Sequence, residues 1–269
     1  MNLKMHGFYD KIIDHAYKAG EPFIECYDDS AVSQCDTYLY KSIALMIEPR
    51  TISAKGYNFL ENGGWKCFQY VFTHDSKLLE KLPNAKPILV AAVWCESYKP
   101  KSKNISLVCS FKSMCELHRV RKNLAWLYEN DSRVDVCGDW QSETYQGWVE
   151  PLEYLEDYRY SIIIENYIDD IYFTEKILNC FANKVVPIYL GARNIDKYFN
   201  KYGIIKADRW QDIPLIVNNL YKLGIEEDYK ARKQYIEENY EKSRQFTRFE
   251  DWFFREYGEM LDDLGQGEI

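Results

Sequence analysis

Side chains that could bind a phosphorylated ligand are concentrated in residues 160–191, which read YSIIIENYIDDIYFTEKILNCFANKVVPIYLG. Glu165 and Asn166 follow an apolar run typical of a buried strand, and a loop then leads into a helical pattern. The N-terminus of such a helix offers free backbone N–H groups and a positive dipole end to a phosphate, and Lys176 adds a full charge. In the same turns Glu175 could accept hydrogen bonds from ribose hydroxyls. An isolated Glu-Lys pair is usually solvated, so this prediction depends on Glu165, Asn166 and the following V-V-P-I-Y-L-G strand.

This stretch resembles the donor-binding signature of the α1,3-fucosyltransferase family, glycosyltransferase family ten. The family pattern runs from Glu-Asn through a spacer with a tyrosine to Thr-Glu-Lys, and then through a helix to V-P-I-Y-x-G. Its elements are present at unbroken spacing as Glu165, Asn166, Tyr172, Thr174, Glu175, Lys176 and residues 186–191. The resemblance implies that the first six of these residues bind GDP-fucose as the donor, with a carbohydrate as the acceptor.

A second, weaker similarity lies upstream in residues 106–138, SLVCSFKSMCELHRVRKNLAWLYENDSRVDVCG. It looks like the family's unit of a strand, a serine loop, an arginine helix and V-D-V-Y-G, with Cys137 where tyrosine is common. The resemblance implies an arginine on the donor pyrophosphate, a role that suits the planar, bidentate guanidinium.

Two arginines are candidates for this pyrophosphate contact. Arg121 is preferred because its spacing to Asp135 suits the family pattern, and Arg119 is the alternative. Taken alone, either residue would be interpreted as an exposed arginine at the start of a helix. Ser110 and Lys112 in the preceding loop favour the donor-binding interpretation. We therefore group Ser110 and Lys112 with the donor-binding residues.

Inverting sugar transfer needs a base that takes the proton from the acceptor hydroxyl as its oxygen attacks the anomeric carbon. In the family this base is a glutamate of the N-terminal domain. The resemblance maps it onto Glu48, at the end of the strand pattern KSIALMI. His74, after the apolar run YVF, is the alternative base. An exposed glutamate at a strand end, or a structural histidine, would fit the same patterns, so the choice stays open.

No cofactor is expected, since GDP-fucose enters as a substrate. The acidic pairs Asp28-Asp29 and Asp169-Asp170 are predicted to lie in loops, without metal-site spacing at a suitable strand end. Lys176, an arginine and the helix terminus could neutralise the pyrophosphate leaving group, so the argument requires no metal.

The strands and helices that must position these residues can be predicted from the hydrophobic pattern, in which short apolar runs alternate with longer amphipathic segments. This alternation is typical of parallel strands joined by helices and indicates an α/β fold. Strands are predicted at residues 42–47, 69–72, 88–93, 105–109, 134–137, 161–164, 185–189 and 203–205. Helices are predicted at residues 75–81, 117–129, 171–183, 211–223, 227–240 and 248–261. Ligands of such folds bind outside the carboxyl ends of the strands.

The resemblance implies the GT-B architecture, in which two Rossmann-like domains face a central cleft. The polar stretch 96–103, ESYKPKSK, is the best candidate for a linker. We therefore expect an acceptor-binding N-terminal domain at residues 1–100 and a GDP-sugar-binding C-terminal domain at 104–247. The aromatic C-terminal helix, residues 248–269, is expected to pack back across the domain boundary.

Charge and composition argue against several other classes of protein. With 42 acidic and 34 basic residues the net charge is −8, which argues against a nucleic-acid partner. The eight cysteines form no C-x-x-C pair and are expected to be free thiols in a reducing compartment. No apolar run approaches the roughly 20 residues of a transmembrane helix, so the sequence predicts a cytoplasmic protein without its own anchor.

Two other functions remain open from the sequence. One is a GT-B transferase that uses a different GDP-sugar, and the other is a catalytically silent module that binds a glycan or a nucleotide. Donor hydrolysis would separate an enzyme from a module, and donor choice would separate the two enzymes.

Overall fold

The computed structural model describes residues 2–7, 23–35, 41–97, 99–144 and 150–266, and the chain divides into two compact units. The N-terminal unit comprises Met1–Val90, Asp169–Ile171 and Phe249–Ile269. The C-terminal unit comprises Ala91–Ile168 and Tyr172–Arg248.

Among the described residues, each unit contains a five-stranded sheet in which neighbouring strands are parallel. The strands are β1 (Asn2–His6), β2 (Phe23–Asp28), β3 (Ser42–Met46), β4 (Tyr70–Thr73), β5 (Ala85–Pro87), β6 (Lys103–Val108), β7 (Asp135–Cys137), β8 (Tyr158–Ile164), β9 (Val186–Leu190) and β10 (Ile205–Lys206). The helices are α1 (Ala54–Glu61), α2 (Ser76–Lys81), α3 (Glu116–Tyr128), α4 (Glu175–Ala182), α5 (Ile213–Leu223), α6 (Ile225–Ala231), α7 (Lys233–Ser243) and α8 (Phe249–Gln266). The predicted α/β class is confirmed.

In the N-terminal unit the strand order follows the chain, β1-β2-β3-β4-β5. One core cluster packs β3 against α1, with Ala44 and Met46 against Tyr57 and Leu60. Helix α8 also belongs to this unit, where the Phe253 ring lies 4.9 Å from that of Phe72 on β4. Burial of these apolar side chains fixes the strand ends that carry the polar residues discussed below.

In the C-terminal unit the strand order is β10-β9-β8-β6-β7, so the order reverses between β6 and β8. Strand β8 is almost completely buried, because Ile162 and Ile164 face one core cluster together with Leu107 of β6 and Ile188 of β9. In open parallel sheets, ligands bind outside the carboxyl ends of the strands at such a reversal. The residues that follow β6 and β8 are therefore the first place to look for a bound ligand.

The predicted linker differs from the structure. Residues 96–103 belong to the C-terminal unit, and the boundary falls earlier, between Val90 and Ala91; residue 98 lies outside the described residues. Side chains of later helices bind Trp94, which precedes this polar segment, and Glu96, its first residue. The Trp94 N–H donates to Asn179 of α4 at 2.8 Å, and the Tyr240 hydroxyl of α7 donates to Glu96 at 2.7 Å.

Two further predictions were wrong in detail. The apolar run 88–93 is no strand: β5 ends at Pro87, and beyond it the Ile88 N–H still donates to the Thr73 carbonyl of β4 at 3.1 Å, but the residues that follow have no strand structure. The helix predicted at 227–240 is two helices, α6 and α7, which meet at Arg232. In the described part of the chain, no helix is both long enough and apolar enough to cross a membrane.

Candidate functional site

Glu165 joins the end of β8 to the start of α4. Its side chain is fully buried, and its two carboxylate oxygens accept hydrogen bonds from the Thr174 N–H (3.0 Å) and the Thr174 hydroxyl (2.8 Å). Thr174 is the N-cap of α4, and its hydroxyl oxygen accepts from the Lys176 N–H at 3.4 Å. The helix therefore begins at Glu175 rather than at residue 171 as predicted, because Thr174 is held by both the cap and Glu165.

Lys176 brings a positive charge to this helix start. Its ammonium group lies 3.1 Å from the Thr174 hydroxyl, 3.0 Å from Glu175 Oε1 and 3.7 Å from Glu165 Oε2. Burial by itself would lower the pKa of Lys176, but the two carboxylates outweigh that effect and raise the pKa. Burial also raises the pKa of Glu165, and the charge of Lys176 opposes that rise. Lys176 thus stays protonated beside the positive N-terminal end of the α4 dipole, where an anion is favoured.

Arg121 reaches the other residue of the Glu-Asn pair. It lies on α3, and its guanidinium donates a hydrogen bond to Asn166 Oδ1. The Nε atom of Arg121 is buried and has no hydrogen-bond partner among the described residues. Burial lowers the pKa of Arg121, although a guanidinium remains charged at neutral pH. A buried guanidinium N–H that lacks an acceptor is well suited to bind a phosphate oxygen.

The structure separates the two arginines that the sequence left open. Arg119 lies on the exposed side of α3, whereas Arg121 on the same helix contacts Asn166. Arg121, and not Arg119, therefore lies in the cluster with Asn166, and its role in donor binding stays a prediction. Ser110 is half-buried in the loop after β6, and Lys112 in the same loop is exposed.

His118 was not among the predicted site residues. It is buried one turn before Arg121, and its Nε2 lies 3.1 Å from Asn166 Oδ1, so the neutral ring can donate to that oxygen. Burial, helped by the charges of Arg121 and Lys112, lowers the pKa of His118 to about 4. The ring is therefore uncharged at neutral pH. The three-residue spacing of His118 and Arg121 on one helix face was the signal that could have identified it.

The V-P-I-Y-x-G part of the signature packs against the same cluster. A Cβ atom at Gly191 would lie 2.3 Å from the Tyr189 hydroxyl and 2.6 Å from Glu165 Cγ, so a side chain here would displace Glu165. The Tyr189 hydroxyl also accepts from the Ala192 N–H at 3.0 Å. Tyr172 is buried just before α4. The spacing between Glu165 and Gly191 therefore reflects direct contact of the two chain segments.

Glu48, the predicted base, follows β3 in the N-terminal unit and is half-buried. Both peptide groups next to it are held: its N–H donates to Asp29 Oδ2 at 2.8 Å, and its C=O accepts from the Tyr57 hydroxyl at 2.9 Å. Burial raises the pKa of Asp29, and the two N–H groups it accepts, from Ile47 and Glu48, act against that rise. These contacts fix the backbone from which the Glu48 side chain projects.

His74, the alternative base, is completely buried in the same unit. Its Nε2 lies 3.4 Å from the Tyr57 hydroxyl, and burial lowers its pKa to about 4. The following residue, Asp75, accepts two hydrogen bonds from the Arg50 guanidinium, at 2.7 and 2.8 Å. A base must come within hydrogen-bond distance of the proton it takes. His74 has no exposed surface from which to reach such a proton, whereas Glu48 is half-buried, and the choice of Glu48 as the base stays a prediction.

Two comparisons with known proteins agree with this geometry. Residues 99–257, more than half of the chain, match the model of glycosyltransferase family 10 (fucosyltransferase), C-terminal part. The fold is similar to that of a crystallised α1,3-fucosyltransferase with GDP, with a TM-score of 0.55 and 13% identity over 96% of this chain and 84% of that one. A crystal structure of an α1,3-fucosyltransferase with GDP-fucose gives a TM-score of 0.53 and 14% identity over 91% and 78%. The likeness in fold bears out the predicted GT-B class.

Proposed function

We infer that this chain, which belongs to glycosyltransferase family 10, transfers fucose from GDP-fucose to a hydroxyl group of a carbohydrate acceptor. The observation that carries the inference is the cluster at the strand-order reversal of the C-terminal sheet. There Arg121 meets Asn166, and Glu165 holds the helix start that carries Lys176. Proteins of the same fold have been crystallised with GDP and with GDP-fucose, which supports the choice of donor.

In this proposal the pyrophosphate of the donor lies between Arg121 and the N-terminus of α4. Arg121 can offer its buried Nε–H to a phosphate oxygen, and Lys176 can turn from Glu175 to the same group. Glu175, once released from Lys176, becomes an acceptor for the ribose hydroxyls. Tyr172 and Thr174 complete the wall next to the nucleotide, and Ser110 and Lys112 contribute from the loop after β6.

The proposed reaction is a single displacement with inversion. The acceptor oxygen forms a bond to the anomeric carbon of fucose as the bond from that carbon to the β-phosphate oxygen breaks, and GDP leaves with the electron pair. Negative charge therefore grows on the phosphate in the transition state. Once donor binding has turned Lys176 to the pyrophosphate, Arg121, Lys176 and the α4 terminus are in place before the bond breaks, so they can stabilise this charge during the reaction.

Glu48 is the proposed base that takes the proton of the acceptor hydroxyl. The hydrogen bonds that its N–H donates to Asp29 and its C=O accepts from the Tyr57 hydroxyl support this role, because a base must be held in a defined position.

We propose that the reaction needs no divalent metal, since two cations and a helix N-terminus already face the leaving group. Transfer rates in excess EDTA and in added Mg²⁺ or Mn²⁺ test this point. Equal rates support the proposal, and loss of turnover in EDTA that Mn²⁺ restores overturns it.

The donor assignment is tested by melting temperatures and by release of the nucleoside diphosphate, GDP from GDP-fucose and GDP-mannose and UDP from UDP-sugars, each against a panel of acceptor glycans. We expect GDP and GDP-fucose to raise the melting temperature by mass action, and UDP to have no effect at the same concentration. Equal shifts with UDP would contradict the donor site, and faster turnover with GDP-mannose would identify a transferase of another GDP-sugar.

All eight cysteines are free thiols. Thiols of this number persist in reducing compartments, so we propose that the chain works in the cytoplasm. Fractionation of cells that express the chain tests this location. Detection in the cytoplasmic fraction supports the proposal, and detection only in other fractions contradicts it.

A further inference from the structure

The backbone of Ile47 and Glu48, just after β3, is held from two sides by buried side chains of the N-terminal unit. We propose that these side chains, Asp29 and Tyr57, are positioning residues on which the rate of transfer depends. The inference rests on the proposed role of Glu48 as the base. Neither residue belongs to the signature of residues 160–191 or to the C-terminal unit, so their function is separate from donor binding.

Asp29, which follows β2, holds the N–H groups of this segment. Its Oδ2 accepts a hydrogen bond from the Ile47 N–H at 3.1 Å and another from the Glu48 N–H at 2.8 Å. Both N–H groups lie beyond Met46, the last residue of β3. A buried N–H at the end of a strand needs an acceptor, and here a side chain supplies it in place of a neighbouring strand.

The burial of Asp29 is unfavourable for its own charge. The residue is almost completely buried, and its Oδ1 has no hydrogen-bond partner among the described residues. Burial raises the pKa of Asp29, which means that the fold holds this carboxylate where its ionised form is destabilised. An apolar side chain would avoid that cost but would leave two N–H groups without an acceptor. The carboxylate thus serves to fix the segment that carries Glu48.

Tyr57 of α1 holds the carbonyl group of Glu48. Its hydroxyl donates to the Glu48 carbonyl oxygen at 2.9 Å, and the residue is only 1% exposed. Burial raises the pKa of Tyr57, so the hydroxyl keeps its proton and remains a donor. The preceding glycine allows this approach of α1, because a Cβ at Gly56 would lie 2.9 Å from Val32 Cγ1 and 3.0 Å from the Asp29 carbonyl oxygen.

Pro49 restricts the backbone of Glu48 from the other direction. A proline limits the residue before it to extended conformations, and the Pro49 carbonyl accepts hydrogen bonds from the N–H groups of Ile52 (2.8 Å) and Ser53 (3.0 Å). The peptide groups on both sides of the Glu48 Cα are therefore fixed, and so is the direction in which its side chain leaves the backbone. Loss of either hydrogen-bonding side chain would release this direction.

Tyr57→Phe is the sharpest test, because it removes the hydroxyl and keeps the buried ring. We expect turnover at saturating GDP-fucose and acceptor to fall about ten- to a hundredfold, since a displacement of about 1 Å in a catalytic group can cost about a hundredfold. The Kd for GDP-fucose, measured by calorimetry, should not change, because the residues proposed to bind the donor lie in the C-terminal unit.

Tyr221→Phe is the matched control. It removes the same kind of hydrogen bond from the C-terminal unit, where the Tyr221 hydroxyl donates to the Arg133 carbonyl oxygen at 2.8 Å. Both variants should lower the melting temperature by about 2 to 4 °C, but Tyr221→Phe should keep the turnover of the wild type. The control therefore separates a positioning role from a general loss of stability.

Asp29 is tested with a pair of variants. Asp29→Ala removes the acceptor of both N–H groups and should lower turnover about as much as Tyr57→Phe does. Asp29→Asn keeps an oxygen that can accept the same two hydrogen bonds and should restore most of the turnover. Turnover in Asp29→Asn as low as in Asp29→Ala would contradict the proposed role of Asp29 as the acceptor.

A double variant links these effects to the base. If Tyr57 acts through Glu48, Tyr57→Phe should cause no further loss of turnover in the Glu48→Gln background. A full additional loss there, wild-type turnover in Tyr57→Phe, or an equal loss in Tyr221→Phe would overturn the positioning role while the proposed base stands. Wild-type turnover in Glu48→Gln alone would overturn the proposed base, and this inference with it.

Discussion

Arg121→Met is the most informative single substitution for the donor site. Methionine keeps an unbranched apolar side chain on α3 but removes the guanidinium. Asn166 Oδ1 then still has His118 as a donor, so the change does not leave that oxygen without a hydrogen bond. Burial lowers the pKa of Arg121, which means that the charge of this side chain costs free energy in the unliganded fold.

The expected effects on stability and on binding therefore have opposite signs. The free energy of unfolding of the unliganded protein should stay constant or rise by up to about 2 kcal/mol, since a desolvated charge is replaced by an apolar group. The free energy of GDP-fucose binding should become less favourable by roughly 1.5 to 3 kcal/mol, because a charge-assisted contact to the pyrophosphate is lost. This corresponds to an increase in Kd of about ten- to over a hundredfold.

The assay pairs chemical denaturation with calorimetric binding of GDP-fucose, and Arg119→Met serves as the matched control on the exposed side of the same helix. The control should change both quantities little. If Arg121→Met binds the donor like the wild type, or if Arg119→Met shows the larger loss, the reasoning about the pyrophosphate contact is refuted. A parallel loss of stability and affinity would mean that Arg121 supports the fold instead.

Three further substitutions test other parts of the site. Glu48→Gln should lower turnover at saturating substrates about 100- to 10,000-fold without changing GDP-fucose affinity. His74→Ala should lower the stability of the fold and leave the turnover of the folded protein near normal. If instead His74→Ala abolishes turnover and Glu48→Gln does not, His74 is the base. Gly191→Ala should lower the free energy of unfolding by about 1 to 3 kcal/mol in denaturant titrations, because the new Cβ would collide with Glu165 and Tyr189. Gly258→Ala in α8 is the control: its Cβ would meet no heavy atom within 4 Å, so the change should be neutral or stabilising. His118→Ala should raise the KM for GDP-fucose about three- to tenfold and leave the pH profile of turnover unchanged. His118→Gln keeps an N–H donor and should bring the KM most of the way back to the wild-type value. A wild-type KM in His118→Ala would contradict a positioning role of His118 through Asn166.

The parts of the fold that the sequence predicted well are the buried strands of the C-terminal unit. Strands β8 and β9 and the second half of β6 are mainly apolar and buried, so composition alone identifies them. The first strands, NLKMH and FIECYD, mix polar with apolar residues and were missed. Helix α1 was also missed, because it contains Gly56, a poor helix former. Glycine is required there since a Cβ would lie 2.9 Å from Val32 and 3.0 Å from the Asp29 carbonyl.

The sequence indicated most of the residues that form the candidate cluster but not the contacts between them. The signature places Glu165 and Lys176 near one helix start, and local chain geometry explains that pair. The contact of Arg121 with Asn166, and the role of His118 beside it, depend on β6 and β8 being neighbours. Strand order is set by packing of the whole unit, so a single sequence does not reveal it.

The central claim, inverting transfer of fucose from GDP-fucose, is tested most directly by proton NMR of the reaction product. The enzyme is incubated with GDP-β-L-fucose and the acceptor that gives the fastest GDP release, and the coupling constant of the new anomeric proton is measured. The account predicts an α-linked fucosyl product formed in equal amount to GDP. A β-linked product, or GDP release without any fucosylated acceptor across the panel, would contradict it.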